Sequence, residues 1–304
     1  MVRLDGGTFR MGSQEFYPEE GPVHERTVAA FAIDRHAVTN ADFAAFVAAT
    51  GYVTVAERAI DPDDVPGAVE DLTPGGLVFT PTSGPVDLND WRQWWRWVPG
   101  ASWRAPEGPG STVDDRSRHP VVQVAFEDAV AYATWVGKRL PSEAEFEYAS
   151  HGGRGDQRFA WGNEPYPGGV AHAHTWLGRF PYERVGDHGG GTAPVGSYPP
   201  NGYGLADMIG NVWEWTSDVY TARHAVPRGA AGTDFEPGRT TKDGTCCHGG
   251  APHTAAAVSP VPLRTIKGGS FLCTPEYCYR FRPAARSSQS EDTATVNIGF
   301  RCAR

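Results

Sequence analysis

Long apolar runs are what this sequence most clearly lacks. No stretch approaches the roughly 20 apolar residues that a membrane-spanning helix requires, and residues 1–7 contain no apolar signal-peptide core. Basic residues are also in the minority, because 27 Lys and Arg stand against 36 Asp and Glu and give a net charge of −9. That balance argues against a nucleic-acid surface and against attraction to anionic lipid. We therefore expect a cytoplasmic protein that binds neither nucleic acid nor membranes.

Cysteine is scarce as well, with five residues in a chain of 304. An odd number cannot all pair within the chain, so a disulfide scaffold is disfavoured, and the Cys-x₂-Cys pairs of structural zinc sites are absent. Glycine (37), proline (25) and aromatic residues (12%) are abundant. This composition predicts many turns around an aromatic-rich core. The expected fold class is α+β, with a single loop-rich domain over residues 1–304 and little regular secondary structure.

Three segments carry the apolar spacing and the end signals of short helices. The first is predicted from the capping residue Thr39 to Gly51, and the second carries apolar residues at helical spacing from Ala129 to Val136. The third is predicted after Ser142 and extends to about residue 150. Short strands are predicted over 4–12 and 31–34. Residues from about 55 to 118 hold five of the ten Trp, which indicates a long loop with aromatic anchors or a wall of a peptide groove.

The segment richest in chemistry contains Cys273 and Cys278, five positions apart with Pro275 between them. On a helix or a strand this offset points the two thiols away from each other, so only a turn or bulge brings them together. Pro275 favours such a turn. Two converging thiolates can form a disulfide or hold a soft ion such as copper(I). On spacing alone, a local disulfide and two inert thiols remain open alternatives.

Further motifs surround this pair. They are GGTFRMGS (6–13), GKRLPSEAEFEYA (137–149), NGYGLADMIGNVWEWT (201–216), the GGS–CxxxxC–YRxRxxAR segment (268–286) and NIGFRC (297–302). Together they resemble the sulfatase-modifying-factor family over nearly the whole chain. The segment 268–286 is similar to its catalytic branch, the formylglycine-generating enzymes. The resemblance implies the C-type-lectin-like fold of that family.

The resemblance also implies an activity. Such an enzyme oxidises a cysteine within a Cys-x-Pro-x-Arg motif of a sulfatase to Cα-formylglycine, with O2 as co-substrate and copper(I) as cofactor. Cys273 and Cys278 would hold the copper, and the substrate thiol would join as a third sulfur ligand. Ser270 and Tyr277 match positions that line the oxygen and thiol site, and Asn297 matches a residue near the bound peptide. For these three residues, ordinary turn and packing roles remain alternatives.

The implied partner is an unfolded sulfatase polypeptide, bound in extended form in a shallow groove. We expect the enzyme to act as a monomer. A non-catalytic peptide- or carbohydrate-binding module on the same scaffold is the alternative, because fold alone does not fix function. An iron-dependent sulfoxide synthase of the same superfamily ranks last, because those relatives carry an additional helical domain with His ligands and this sequence shows no N-terminal helix bundle.

The resemblance further implies two structural calcium sites built from loop oxygens, which suit calcium. In the first, Glu214 matches a carboxylate ligand, and three positions match carbonyl donors: Ile209, Gly210 and Val212. In the second, Asp187 matches a carboxylate ligand, with Thr175 and Gly189 as carbonyl donors. The second site departs from the family at His174, where relatives carry Asn, and imidazole is a poor calcium ligand.

The remaining cysteines have weaker signals. Cys302 matches a disulfide position of secreted relatives, but its partner position here is Ala133, so we expect a buried free thiol. Cys246 and Cys247 are adjacent and lie in a Gly-rich stretch near two histidines. Adjacent cysteines hardly chelate one ion without strain, so we interpret this stretch as an exposed insertion rather than a metal site.

Overall fold

Short strands and three helices form the regular part of the protein. The computed structural model describes residues 1–60, 73–155, 157–186, 190–224 and 261–304. The helices are α1 (Asn40–Thr50), α2 (Phe126–Trp135) and α3 (Glu143–His151). The strands are β1 (Val2–Leu4), β2 (Gly7–Met11), β3 (His24–Val28), β4 (Phe31–Ile33), β5 (Gly75–Phe79), β6 (Trp95–Pro99), β7 (Gly178–Arg179), β8 (Glu183–Arg184), β9 (Trp213–Val219), β10 (Leu263–Lys267), β11 (Arg286–Ser290) and β12 (Ile298–Gly299).

The three helices lie where the sequence predicts them. Thr39 accepts a hydrogen bond from Asp42 N–H at the start of α1, and Gly51 ends the helix in the left-handed conformation with φ of 69°. Ser142 caps α3 in the same way through the N–H of Glu145. Helix α2 ends at Trp135, one residue before the predicted end at Val136, which is the C-cap. Side-chain caps therefore mark the starts of α1 and α3, whereas α2 begins after Ala125 without a side-chain cap.

The strands differ from the prediction in two places. The predicted strand over 4–12 is split into β1 and β2, because Gly6 has φ of 75° and a Cβ there would lie 2.4 Å from the carbonyl oxygen of Val28. Strands β1 and β2 pair with β4 and β3, not with each other. The predicted long loop over 55–118 contains the antiparallel pair β5–β6. Of its tryptophans, Trp94, Trp95 and Trp103 are buried, as expected of anchors, while Trp97 is exposed.

A four-stranded sheet with the order β11-β10-β9-β12 forms the centre of the described structure. Strand β10 runs antiparallel to both β9 and β11, and β12 runs parallel to β9. Trp213 and Trp215 from β9 and Ile266 from β10 are buried in one hydrophobic cluster with helices α1 and α2. Cys273 and Cys278 belong to the same cluster. The predicted site therefore rests directly on the core.

No helix among the described residues is long and apolar enough to cross a bilayer.

A buried histidine lies beside α3 and the central sheet. His224 is 9% exposed, and its ring packs against that of His24 with 5.1 Å between the centroids. Burial lowers the pKa of His224 from 6.5 to about 4. The nearby Glu143 carboxylate opposes this effect, and the Arg286 guanidinium adds to it. Between about pH 6.5 and pH 4, His224 is therefore neutral in the folded protein but protonated in the unfolded chain.

This pKa predicts a pH dependence of stability. Between about pH 6.5 and pH 4 the unfolded chain binds more protons at His224 than the folded protein, so stability falls as pH decreases through that window. We expect His224 to contribute a loss of about 2 kcal/mol in the free energy of unfolding between about pH 7.5 and pH 5. Urea unfolding of wild type and His224→Gln across this range measures it, and the variant should lose less stability. His172→Gln, at a partly exposed histidine stacked on Trp161, is the control and should follow wild type. Equal pH profiles for wild type and His224→Gln would contradict the prediction.

Candidate active site

The two cysteines lie on the connection between β10 and β11, residues 268–285, which we name the cysteine loop. It leaves β10 through Gly268 and Gly269, with φ of 92° and 73°. A Cβ on Gly269 would lie 2.8 Å from the carbonyl oxygen of Arg280, so glycine is required where the loop returns past its own start. Thr274 and Cys278 exchange backbone hydrogen bonds of 3.1 and 2.9 Å, which closes the predicted turn around Pro275.

This turn brings the two sulfur atoms together. Cys273 Sγ and Cys278 Sγ are 3.0 Å apart, and both thiols are free. The predicted convergence is confirmed, and the local disulfide is not the state of this structure, because an S–S bond measures about 2.05 Å. Among the described residues, no group of three or more His, Cys, Asp or Glu side chains is arranged to hold a metal ion. The pair therefore offers two sulfur donors and no hard oxygen donors.

The pair lies below the surface. Cys273 and Cys278 are each 1% exposed, and they pack in the hydrophobic cluster under the central sheet. The exposed part of the loop is Pro275 and Glu276. The described residues thus do not present the sulfur atoms in the open, shallow groove that the sequence led us to expect.

Ser270 lies beside Cys273, and Asn297 is joined to Ser270 by a hydrogen bond. The Ser270 carbonyl accepts the Cys273 N–H at 2.9 Å, and the Ser270 N–H donates to Cys273 Sγ at 3.4 Å. Asn297 Nδ2 donates to Ser270 Oγ at 3.2 Å. Both residues are buried. Ser270 therefore links Asn297 to the cysteine loop through hydrogen bonds.

Tyr277 is held by aromatic rings. It stacks on Phe180 with centroids 4.5 Å apart and an interplanar angle of 6°. The ring of Trp94 meets it edge-on at 5.4 Å. Sequence analysis missed both partners: the run of tryptophans near 91–103 was visible, but nothing in it singled out Trp94 as the residue at the site. The packing fixes the Tyr277 ring while leaving it partly exposed.

The base of the cysteine loop is fixed by charge. Lys267 at the end of β10 is paired in register with Arg286 at the start of β11. Like charges at facing positions repel, and here α3 compensates them: Glu147 accepts from Lys267 Nζ at 2.7 Å and Glu143 binds Arg286 through both oxygens at 2.6 and 2.9 Å. Burial alone would raise the pKa of Glu147, but the Lys267 ammonium holds it below its ordinary value. All four side chains are buried.

The arginines of the loop are engaged inside the protein. Arg280 pairs with Glu19 at 2.6 Å, and Arg282 pairs with Glu20 through both terminal guanidinium nitrogens. Residues 280–282 form no strand. The two side chains converge on adjacent carboxylates of the turn at Pro18–Glu20. Both arginines are therefore salt-bridged within the protein, and neither projects freely into solvent.

At the first predicted calcium site, the Glu214 carboxylate is 1% exposed and accepts from Arg301 through both oxygens at 2.7 Å. Burial raises the pKa of Glu214 despite Arg301, and the nearby Asp207 carboxylate raises it further. Gly210, with φ of 81°, donates its N–H to the Gly268 carbonyl and so ties this loop to the cysteine loop. Two carboxylates therefore face one guanidinium. Calcium ligation by Ile209, Gly210, Val212 and Glu214 stays a prediction.

The second predicted calcium site is described only in part. Asp187 and Gly189 lie outside the described residues, while Thr175 is buried beside His174. His174 Nε2 lies 2.9 Å from the Gly191 carbonyl oxygen and 3.3 Å from an Arg184 nitrogen. The ring is thus engaged by other parts of the protein, and ligation by Thr175, Asp187 and Gly189 stays a prediction.

Cys302 packs in the same hydrophobic cluster as the cysteine pair. Cys302 is a buried free thiol, as expected, and burial raises its pKa to about 12. A thiol with so high a pKa is a poor nucleophile and a poor metal ligand at neutral pH. Cys246 and Cys247 lie outside the described residues.

Comparison with known proteins adds independent information. Residues 1–304 match the family model described as the sulfatase-modifying factor enzyme 1-like domain. The formylglycine-generating enzyme of Mycobacterium tuberculosis is 58% identical over 305 residues, covering 99% of this chain and 96% of that protein. The enzyme of the same name from Thermomonospora curvata is 46% identical over 309 residues, covering 100% of this chain and 92% of its own length. The structure of PvdO from Pseudomonas aeruginosa superposes with a TM-score of 0.61 at 25% identity, covering 100% of this chain and 93% of that one. The predicted fold class is thereby confirmed.

The ion pairs at the base of the cysteine loop predict a large stability effect. Glu143→Gln leaves the buried Arg286 guanidinium without its counter-charge, so we expect a loss of about 3 kcal/mol or more in the free energy of unfolding. Glu127→Gln removes a carboxylate from the exposed Arg58–Glu127 pair and should cost less than about 1 kcal/mol. Urea unfolding of both variants at neutral pH makes the comparison. Equal losses in the free energy of unfolding would contradict the prediction that the buried Arg286–Glu143 pair matters more for stability than the exposed Arg58–Glu127 pair.

Proposed function

The chain belongs to the sulfatase-modifying factor enzyme 1-like family, and from this premise we propose that it oxidises the cysteine of a Cys-x-Pro-x-Arg motif in sulfatases to Cα-formylglycine. O2 is the proposed co-substrate and copper(I) the proposed cofactor. The observation that carries the proposal is the pair of free sulfur atoms, Cys273 and Cys278, which lie 3.0 Å apart, with the backbone N–H of Ser270 donating to Cys273 Sγ. The relatives compared above bear the name of this activity.

The donor set fits copper(I). Two thiol sulfurs in an apolar, buried environment suit a soft monovalent ion, whereas zinc and calcium favour more donors or harder ones. Cys273 and Cys278 would hold the ion with few ligands, which leaves room for the sulfur of an incoming thiol. When bound, copper(I) supplies one-electron chemistry between that thiol and O2.

The chain's own residues orient the reactants. The closed turn between Thr274 and Cys278 fixes the separation of the two sulfurs. Ser270 supplies a hydroxyl that can donate a hydrogen bond to a reduced oxygen species. Tyr277, clamped between Phe180 and Trp94, supplies a second hydroxyl from the partly exposed side. Asn297, which bonds to Ser270, lies on the side where we propose that the substrate peptide passes.

The reaction balances as an oxidation followed by a hydrolysis. Conversion of the substrate CH2–SH group to CH=S breaks one C–H and one S–H bond and releases two electrons and two protons. O2 accepts them at the level of hydrogen peroxide, and reduction to water takes two more electrons and two protons from two external thiols, which are oxidised to a disulfide. Water then adds to C=S, and loss of hydrogen sulfide leaves the aldehyde. Exclusion of water from the buried pair protects the oxidation step from side reactions.

The proposed partner is an unfolded sulfatase chain, because only an extended segment can insert a cysteine to the depth of the buried pair. We propose that the enzyme acts as a monomer in the cytoplasm, whose reducing conditions keep both thiols free.

A non-catalytic peptide- or carbohydrate-binding module is the second candidate, and the 1% exposure of both cysteines favours it. Titration of the reduced protein with copper(I) under a competing chelator separates the two. One tightly bound ion that is lost in Cys273→Ser and Cys278→Ser supports the enzyme, and absence of tight binding supports the module.

We also propose that calcium binds at Glu214, with the carbonyls of Ile209, Gly210 and Val212 as further ligands. The support is electrostatic, since the buried Glu214 carboxylate and the partly buried Asp207 carboxylate both interact with the Arg301 guanidinium, and burial raises the pKa of both. A divalent ion would compensate the excess negative charge. A second calcium at Thr175, Asp187 and Gly189 is proposed with the same chemistry.

The activity is tested with a synthetic peptide that contains Leu-Cys-x-Pro-x-Arg. With copper(I), O2 and a thiol reductant, wild type should give an aldehyde that an aminooxy reagent captures and mass spectrometry detects. Cys273→Ser and Cys278→Ser should each lower turnover by at least about a hundredfold, because a hydroxyl is a hard, weak donor for copper(I). Cys302→Ala removes a buried thiol that is not one of the two proposed copper ligands and serves as the control, with activity near wild type. Full activity in both serine variants, or no aldehyde from wild type, would refute the proposal.

Calcium removal gives a separate prediction. A chelator such as EDTA should lower the midpoint of thermal unfolding of wild type, and excess calcium should restore it, because a ligand that binds only the folded state stabilises it. In Glu214→Gln the shift caused by EDTA should shrink. Asp218→Asn, at another carboxylate of β9 that is half-buried, should respond to EDTA as wild type does. An unchanged wild-type midpoint in EDTA would exclude a stabilising calcium ion.

A further inference from the structure

The hydrogen bonds of Ser270 are directed by a residue that the sequence did not single out, Thr295. Thr295 is 1% exposed, and its Oγ1 donates to Asn297 Oδ1 at 2.7 Å. Asn297 Nδ2 then donates to Ser270 Oγ at 3.2 Å. The three side chains form one chain of hydrogen bonds that ends beside the cysteine pair.

The direction of this chain follows from the chemistry of the amide. The Asn297 side chain has an acceptor at Oδ1 and donors only at Nδ2. Because Thr295 donates to Oδ1, the nitrogen has to face Ser270. Ser270 Oγ also accepts the N–H of Leu272 at 3.3 Å, so both of its lone pairs are used. Ser270 can therefore enter a further hydrogen bond only by donating its proton.

Backbone contacts hold Thr295 independently of its hydroxyl. Its carbonyl accepts the N–H of Gln123 at 2.9 Å. Its neighbours Ala294 and Val296 exchange hydrogen bonds of 3.0 and 3.1 Å with Leu77 of β5. A side chain of the same shape without the hydroxyl leaves these bonds in place. The hydroxyl thus has one identified task, which is to fix the orientation of the Asn297 amide.

We propose that Thr295 is a positioning residue for Ser270, which keeps the Ser270 proton directed into the site for the reduced oxygen species. Without the Thr295 hydroxyl, the Asn297 amide can turn over and present Oδ1 to Ser270. The Ser270 proton is then donated to Asn297 and is lost to the reaction. This role rests on the proposed function, because it is expressed through formylglycine formation.

The test compares Thr295→Val, which keeps the branched shape, with Thr295→Ser, which keeps the hydroxyl. Thr295→Val should lower kcat on the order of tenfold, the size expected for loss of one directed hydrogen bond, while KM for the peptide stays within about a factor of two. Thr295→Ser should retain kcat near wild type. Midpoints of thermal unfolding measured for both variants check that packing is preserved.

A double variant tests the route through Ser270. Ser270→Ala combined with Thr295→Val should be no slower than Ser270→Ala alone, because residues acting in one chain are not additive. Additive losses would show that Thr295 acts by another path and would overturn the proposal.

NMR of the side-chain amide supplies a readout independent of activity. The Asn297 Nδ2 signals, assigned by their loss in Asn297→Asp, should exchange with solvent slowly in wild type and Thr295→Ser and faster in Thr295→Val. Unchanged exchange in Thr295→Val overturns the inference whatever the activity. A wild type that forms aldehyde, with equal kcat in both Thr295 variants, overturns this inference and leaves the proposed function standing. A wild type that forms none refutes the proposed function itself.

Discussion

The buried cluster of Lys267, Arg286, Glu143 and Glu147 is the constraint on which the site depends. The register of β10 and β11 places two cations opposite each other where the cysteine loop begins and ends. Helix α3 supplies the two carboxylates from positions one turn apart, which share a face of the helix. The pairing fixes α3 against the sheet and fixes both ends of the loop. Since buried ion pairs are destabilising unless fully matched, the cluster specifies one arrangement of these three elements.

The loop itself has little regular structure, so local contacts define it. Glycine at 268 and 269 allows its entry, the reciprocal bonds of Thr274 and Cys278 close its turn, and the pairs of Arg280 and Arg282 with Glu19 and Glu20 anchor its return. Three distant stretches meet there: the N-terminal turn, the loop and the segment that bears Thr295 and Asn297. A protein with few helices and strands thus holds two thiols at a fixed separation through hydrogen bonds and ion pairs.

Sequence reasoning succeeded where the signal was local. The caps Thr39 and Ser142 and the stop at Gly51 marked the helices because capping depends on a few neighbouring residues. The turn at Pro275 was likewise implied by spacing and proline. The strand pair β5–β6 was missed, since its partners are 20 residues apart in a region rich in Gly, Pro and Asp.

The family, the fold class and the convergence of Cys273 and Cys278 could be predicted from the amino-acid sequence, since they depend on motifs and on short-range geometry. Three features became visible only in the folded chain: the burial of the cysteine pair, the packing of Phe180 and Trp94 against Tyr277, and the hydrogen-bond chain from Thr295 to Ser270. Those contacts join residues that are up to about two hundred positions apart, and no periodicity links them. Burial and hydrogen-bond direction are properties of the packed chain, so they exist only once the distant segments have met.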